Sequence, residues 1–211
     1  MRGEVEESRI VYKSEWLEVY EESLNINNQR EKSEKNNDND GSSSGGGSGG
    51  GDKDRHGHPK NSVKIFNKIK TTNDGATIVP VFSDGSLLMV ETYRRGADSV
   101  LLELPGGLIE KNDKPEETAR KELLEETGYR CDTLEPKGWF YTWPSRSNQK
   151  VHIFLAKGLE KISKQNLDTT ENIKIKIVSE VEILTKLKNQ EIKASDTISA
   201  LFYGYFMSRI K

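Results

Sequence analysis

The amino-acid sequence predicts a mixed α/β fold. Runs of β-branched and aromatic residues recur at strand length on both sides of one well-signalled helix, and two further helical patterns close the chain. One run, residues 173–178, alternates Ile173, Ile175 and Ile177 with Lys174 and Lys176, the period of a strand with one buried face.

In chain order, Trp16-Leu17-Glu18-Val19-Tyr20 is the first candidate strand, and Val63, Ile65 and Ile69 mark a second. Residues 76–82 are rich in β-branched side chains. Ser83-Asp84-Gly85 and then the apolar run 87–93 follow, a hairpin signal in which Asp-Gly supplies the positive φ of a tight turn. Residues 100–104 form a short apolar strand that stops at Pro105-Gly106-Gly107. Residues 114–127 read as a helix: Asp113 caps it with Glu116 three residues on, Pro115 suits the first turn, and Gly128 stops it. Residues 151–156 and 173–178 are further strands. Ser179 with Glu182 opens a helix to about Lys188, and a last amphipathic helix covers residues 196–209.

Composition narrows the function. The 211 residues hold 34 acidic and 32 basic side chains, a formal net charge of -2, so no broad basic surface is available for duplex nucleic acid. The single cysteine, Cys131, can form neither an internal disulfide nor a thiolate zinc site. The start, MRGEVEESRI, lacks an apolar core for a secretory signal, and no apolar run approaches the ~20 residues that span a bilayer. The expected setting is cytoplasmic, with no membrane partner. Residues 27–62 contain no Ala, Val, Ile, Leu, Met, Phe, Trp, Tyr or Cys, and include GSSSGGGSGGG. Such a stretch cannot bury enough apolar surface to offset its ordering entropy and reads as a flexible loop. His56 and His58 lie in it as His-Gly-His, without the supporting groups that a metal site needs. The expected organisation is N-terminal strands in residues 1–26, the loop in 27–62, and the main domain in 63–211.

The chemistry concentrates at the helix. Glu122, Glu125 and Glu126 stand at i, i+3 and i+4, within ~100° of one another on a helix surface. Crowded carboxylates repel, and hard oxygen donors of this kind suit Mg²⁺ or Mn²⁺. The plainer alternative is a solvated acidic face. The Gly106-Gly107 turn before the helix favours the metal, because bare backbone there can approach an anion or lend a carbonyl. Lys121 adjoins Glu122 and can reach Glu125 one turn on.

These residues resemble the Nudix box: Gly, five residues, Glu, seven residues, then Arg-Glu-apolar-x-Glu-Glu-x-Gly-apolar. Here Gly107, five residues and Asp113 precede seven residues and Lys121-Glu122-Leu123-Leu124-Glu125-Glu126-Thr127-Gly128-Tyr129, so every spacing is kept. Asp113 replaces Glu and Lys121 replaces Arg, which loses the planar bidentate fork of guanidinium. The resemblance implies an α/β/α sandwich with a mixed sheet and a loop-helix-loop motif. It also implies divalent metal on Glu122, Glu125 and Glu126, with Gly106 as a backbone ligand, and hydrolysis of a nucleoside diphosphate linked to another moiety.

The chain also resembles the ADP-ribose pyrophosphatase branch. Glu103-Leu104-Pro105-Gly106-Gly107 is similar to its Glu-Leu-Pro-Ala-Gly, Thr92-Tyr93-Arg94 to its Gln-Tyr-Arg, and Pro144 stands where the branch has a marker proline. The resemblance implies substrate contacts at Arg94, Glu103 and Pro144, and a general base at Glu171, with Glu122 the rival base. It further suggests a homodimer using the N-terminal strands. Each of these residues has a plainer reading: Pro144 as a turn residue, Arg94 as a solvated cation, Glu171 as an exposed loop acid, His152 as a packed histidine, Trp143 as packing. The leading expectation is ADP-ribose or an ADP-sugar hydrolysed to AMP and a sugar phosphate. The alternatives are an NADH or dinucleotide pyrophosphatase, a nucleoside triphosphate sanitiser, or a catalytically silent nucleotide-binding regulatory module.

Overall fold

A computed structural model describes residues 4–25, 63–169 and 171–210. The low-complexity stretch, with His56 and His58, lies outside the described residues. Contacts divide the chain into two units, Met1–Lys70 and Thr71–Lys211.

The first unit is a three-stranded sheet of order β1-β2-β3, formed by β1 (Glu4–Lys13), β2 (Leu17–Asn25) and β3 (Val63–Thr71). β2 and β3 carry the two expected strands. β1 lies within residues 1–26, where strands were expected, but the sequence marked no individual strand at residues 4–13, because EVEESRIVYK is half charged. It pairs antiparallel with β2 through two irregularities in register, and Arg9 on Glu21 and Lys13 on Glu18 neutralise its charges across the strands.

The second unit has a four-stranded mixed sheet and a three-stranded antiparallel sheet. The first has the order β7-β4-β9-β8, from β7 (Gly106–Leu108), β4 (Gly75–Pro80), β9 (Lys150–Lys161) and β8 (Tyr129–Tyr141), with β4 and β9 parallel. The second has the order β10-β5-β6, from β10 (Ile173–Val178), β5 (Leu87–Arg94) and β6 (Ser99–Glu103). Helix α1 (Pro115–Thr127) covers one face, where Ala119 and Leu123 pack with Ile78, Leu88, Leu134 and Phe154. The C-terminal helix α3, made of Ser195–Ala200, Leu201–Phe206 and Met207–Arg209, covers the other, where Leu201 and Tyr205 pack with Val79, Ile153 and Leu155. Adjacent residues of β4 and β9 thus serve opposite layers, as strand alternation requires, and the α/β/α sandwich expected from the sequence is present.

The turn at Ser83-Asp84-Gly85 forms, with Gly85 at φ 85 and Asp84 accepting from the Ser86 amide at 2.9 Å. It does not close a hairpin ladder. After the single Val81–Leu87 bridge, β4 and β5 part into different sheets. Every residue of β4 and the first four of β5 are buried, so each strand needs cover on both faces.

Strand β8 was not expected at all. Pro136 and Gly138 interrupt its pattern, yet β8 is an edge strand, where a proline and a bulge with Gly138 at φ 107 are tolerated. Helix α1 starts one residue later than expected. Lys114, not Asp113, is the N-cap, and Glu117 instead of Glu116 reaches back to the cap amide at 3.4 Å. At the other end Gly128 is left-handed, φ 75, as expected for a helix stop. Ser179 caps α2 (Glu180–Lys188) by accepting from the Glu182 amide. Helix α3 begins at Ser195, widens over Leu201–Phe206 into π-type turns, and ends in a tighter turn at Met207–Arg209.

Candidate active site

Three segments converge on the middle of α1. The first is the glycine turn. β7 pairs with β4 so that Gly106 faces Thr77, and the Ile78 amide donates to Pro105 O at 2.9 Å. This close approach requires glycine: a Cβ on Gly106 would stand 2.2 Å from Ala76 O, and one on Gly107 would stand 2.2 Å from Glu122 Oε1. The second is α1 itself. Glu126 is 5% exposed, and its Oε2 accepts the Gly106 N–H at 2.9 Å. The third is the loop after β9. Asn166 N donates to Glu125 O at 2.8 Å, and Gln165 Nε2 bridges the carbonyls of Glu126 and Ile173. The loop thereby lies along the end of α1, with Asp168 and Glu171 close enough to act on its carboxylates. Glu171 Oε2 accepts from the Asp168 amide at 3.1 Å, which folds the side chain back over its own turn.

Electrostatics reports this crowding. Burial first, then the neighbouring charges of Glu125 and Glu171, push the Glu122 carboxyl up to about 7. For Glu126 burial is again the largest cause, with Glu122 and Glu171 adding to it. The Gly106 amide and the Arg94 charge oppose the rise, and the result is about 8. One half-buried and one buried acid, both with raised values, beside a bare backbone turn are the signature of a site that is electrostatically incomplete on its own.

Other sequence candidates fall around this centre. Arg94 donates from Nε and Nη2 to Glu103 Oε2 at 2.9 and 2.7 Å, and Glu103 is 5% exposed. The two expected substrate residues therefore form one ion pair, the exposed Arg94 on the buried Glu103, beside Glu126. Lys121 does not hold Glu125. Its Nζ donates to Glu110 Oε1 at 3.2 Å, across the loop that opens the motif. Glu110 is the nearer acid once the loop folds back, and sequence spacing along the helix could not show it. Pro144 sits in an exposed turn closed by the Arg146 amide on Trp143 O. That turn is tied to the chain just before β4 through the Thr71 amide on Asn148 and Gln149 on Asn73 O, but Pro144 is not part of the carboxylate cluster. His152 stands 3.7 Å from Asp74 and takes no part in the cluster. Asp168 was missed by the sequence reading, although it lies only three residues before Glu171.

The donor chemistry fits a divalent cation of the hard type. It is all oxygen, partly desolvated, and mutually repulsive without a cation. Among the described residues no three His, Cys, Asp or Glu side chains already close on a common point. That openness suits an ion which keeps waters and shares its shell with substrate phosphates.

A NUDIX domain model matches residues 71–200. The chain belongs to the Nudix family. It is a Nudix pyrophosphohydrolase in its motif and fold, and it resembles the ADP-ribose pyrophosphatase branch. A methanol dehydrogenase activator of Bacillus methanolicus is 33% identical over 137 residues, covering 64% of this chain and 73% of its own. An ADP-ribose pyrophosphatase of Bacillus subtilis is 33% identical over 127 residues, covering 60% and 69%. A GDP-mannose pyrophosphatase of Yersinia enterocolitica is 27% identical over 162 residues, covering 71% and 83%. The crystal structure of an ADP compounds hydrolase superposes with a TM-score of 0.72 at 20% identity, covering 97% of this chain and 92% of the other, a likeness of fold. Nudix membership carries with it a small nucleotide-derived substrate and a divalent metal. Among the described residues no helix is long and apolar enough to cross a membrane.

Proposed function

We propose that this Nudix protein hydrolyses a nucleoside diphosphate linked to a sugar, with ADP-ribose or an ADP-sugar giving AMP and a sugar phosphate. The observation that carries the reading is the pair of acids, half-buried Glu122 and buried Glu126, pressed against the Gly106-Gly107 turn with the charge of Glu171 beside them. Glu122, Glu125, Glu126 and the Gly106 carbonyl are the proposed holders of Mg²⁺, with Mn²⁺ as the alternative ion. Such an ion, when bound, supplies charge neutralisation at the diphosphate and orients the attacking water.

The chain's own groups do the rest. Arg94 commits Nε and Nη2 to Glu103 Oε2, and burial of Glu103 holds the guanidinium while Nη1 is proposed to donate to a phosphate oxygen. Pro144 and Trp143 shape the turn on the substrate side. Glu171 is the proposed general base. It is exposed to the incoming water and lies outside the trio proposed to hold metal, whose basicity a cation would lower. Glu122, raised to about 7 when no cation is present, is the rival base. The reading includes a homodimer formed through the N-terminal strands, where Val11, Tyr12 and Trp16 are each at least half exposed; light scattering on the purified chain tests that part.

The deciding experiment is a turnover panel with Mg²⁺: ADP-ribose, ADP-sugars, GDP-mannose, NADH and a nucleoside triphosphate, with products identified. AMP and ribose 5-phosphate from ADP-ribose support the reading. GDP-mannose as the preferred substrate would favour the second reading, a GDP-sugar pyrophosphatase, which the Yersinia relative supports. No turnover of any member would favour a silent regulatory module.

A further inference from the structure

We propose that the second unit carries another ligand site, for an organic phosphate, in a cleft at the end of α3. The site stands independently of the catalytic reading above. The cleft has a volume of about 700 Å³, within the range of small-molecule sites. Its floor is apolar, made by Val81 and Phe82 at the end of β4 and by Leu155 and Leu159 of β9. Its polar rim carries Lys137, Lys157 and Arg209, with Glu135 as the only acid that lines it among the described residues. None of the carboxylates gathered around α1 lines it.

Two features of the rim identify the ligand's charge. Lys137 Nζ stands 2.8 Å from Glu135 Oε2, and Lys157 Nζ stands 3.1 Å from Glu135 Oε1. Two ammonium groups, from neighbouring strands, thus close on the two oxygens of one carboxylate. That is the geometry of an anion seat holding an internal stand-in. Arg209 completes the rim from α3, with Nη1 on Glu180 at 2.7 Å and its guanidinium 4.9 Å from the Tyr205 ring centre. Tyr205 also donates to Gly85 O at 3.1 Å, which fixes the end of α3 to the β4–β5 turn and sets the width of the cleft.

The donor count favours phosphoryl over carboxylate. Each ammonium has three N–H donors and gives one to Glu135, and a guanidinium has five. What remains exceeds the needs of a carboxylate and suits the three terminal oxygens of a phosphate monoester. The apolar floor, with Phe82 held edge-to-face against Tyr129 at 5.6 Å, then takes the organic body. Glu135 competes with the ligand for the lysines.

The test is an NMR titration of the full chain with AMP, adenosine and inorganic phosphate. The Gly85 and Gly158 amides report the cleft, and the Gly106 and Gly107 amides report the acidic centre, so binding at one is read apart from binding at the other. Saturable shifts at Gly85 and Gly158 are expected with AMP, with weaker binding of inorganic phosphate and of adenosine. Lys137→Ala and Lys157→Ala should each weaken AMP at these amides about tenfold, the usual loss of a charged hydrogen bond. Glu135→Gln should tighten it about threefold or more, because the competitor is neutralised. Shifts confined to Gly106 and Gly107 would overturn the proposal. So would wild-type binding in both lysine variants, weaker binding in Glu135→Gln, or inorganic phosphate or adenosine binding as tightly as AMP.

Discussion

Glu126→Gln should make the metal-free protein more stable and the enzyme inactive, and the two effects have one cause. Glu126 is 5% exposed and is pushed up to about 8 by burial and by Glu122 and Glu171. Its folded value lies above the unfolded one, so its protonated form contributes stability that is full at acid pH and is lost as pH rises towards about 8. In an unfolded chain the same carboxyl ionises near the ordinary ~4.3. At pH 8 folding therefore has to carry a proton or a buried charge. The linkage is on the order of 2 kcal/mol after relaxation of the neighbours. Glutamine keeps the shape, and its Oε1 can accept the Gly106 N–H in place of the carboxylate oxygen. With chelator present, the variant should melt ~4–8 °C above wild type at pH 8 and near wild type at pH 4.5. Adding Mg²⁺ should raise the wild-type melting point and leave the variant much less affected. Turnover should fall by ~10² or more, because a charged ligand in the transition state is lost. A variant that melts below wild type in chelator at pH 8 would refute the burial argument. A gain of equal size at pH 4.5 and pH 8 would show that protonation of Glu126 is not its source.

Three further outcomes follow from the same geometry. Glu171→Gln should lower kcat by ~10²–10⁴ with little change in Mg²⁺ dependence; wild-type kinetics would pass the base role to Glu122, whose own Gln variant should then lose both rate and metal. Gly107→Ala places a methyl 2.2 Å from Glu122 Oε1, so activity should drop at least ~tenfold while circular dichroism stays native; full activity would show that the turn has room to shift. Arg94→Ala leaves the buried Glu103 without its partner and should cost ~1–3 kcal/mol by chemical denaturation, and Glu103→Gln in that background should recover part of the loss; an unchanged midpoint would mean the pair does not stabilise the native state.

The fold was legible where local signals agree with tertiary context. Pro115 and Gly128 bracket α1 because they fix its two ends, and the Ile-Lys alternation of residues 173–178 marks a strand. The expected single buried face is only partly there: Ile173 is buried, but Ile177 is 58% exposed and Val178, on the alternate face, is buried instead. Strands β1 and β8 were illegible for the opposite reason. Both lie at sheet edges, where charge, Pro136 and Gly138 are tolerated because no second partner strand needs their N–H groups. The β4–β5 turn shows a third case. Asp84-Gly85 fixes a tight turn in any setting, but whether the flanking strands stay paired depends on what covers their far faces. Local sequence does not state that.

The site divides in the same way. The i, i+3, i+4 glutamates and the glycine turn are local, so the sequence shows them whole. The partners that complete the centre lie 20 to 50 residues away along the chain, and the fold joins them through groups with no motif of their own. Gln165 and Asn166 are the connection. By filling carbonyls at the end of α1 that the helix itself leaves unpaired, they dock residues 162–169 and Glu171 where the charges of Asp168 and Glu171 reach Glu122. The Arg94–Glu103 pair is likewise set by β5 lying against β6, which brings an exposed guanidinium onto a buried carboxylate beside Glu126. A carboxylate cluster built this way works against folding at neutral pH. The protein tolerates it because helix caps, glycine contacts and two apolar layers hold the backbone in place while the charges wait for a cation. A cation held by the proposed ligands would relieve the repulsion that raises Glu122 and Glu126 in the metal-free fold.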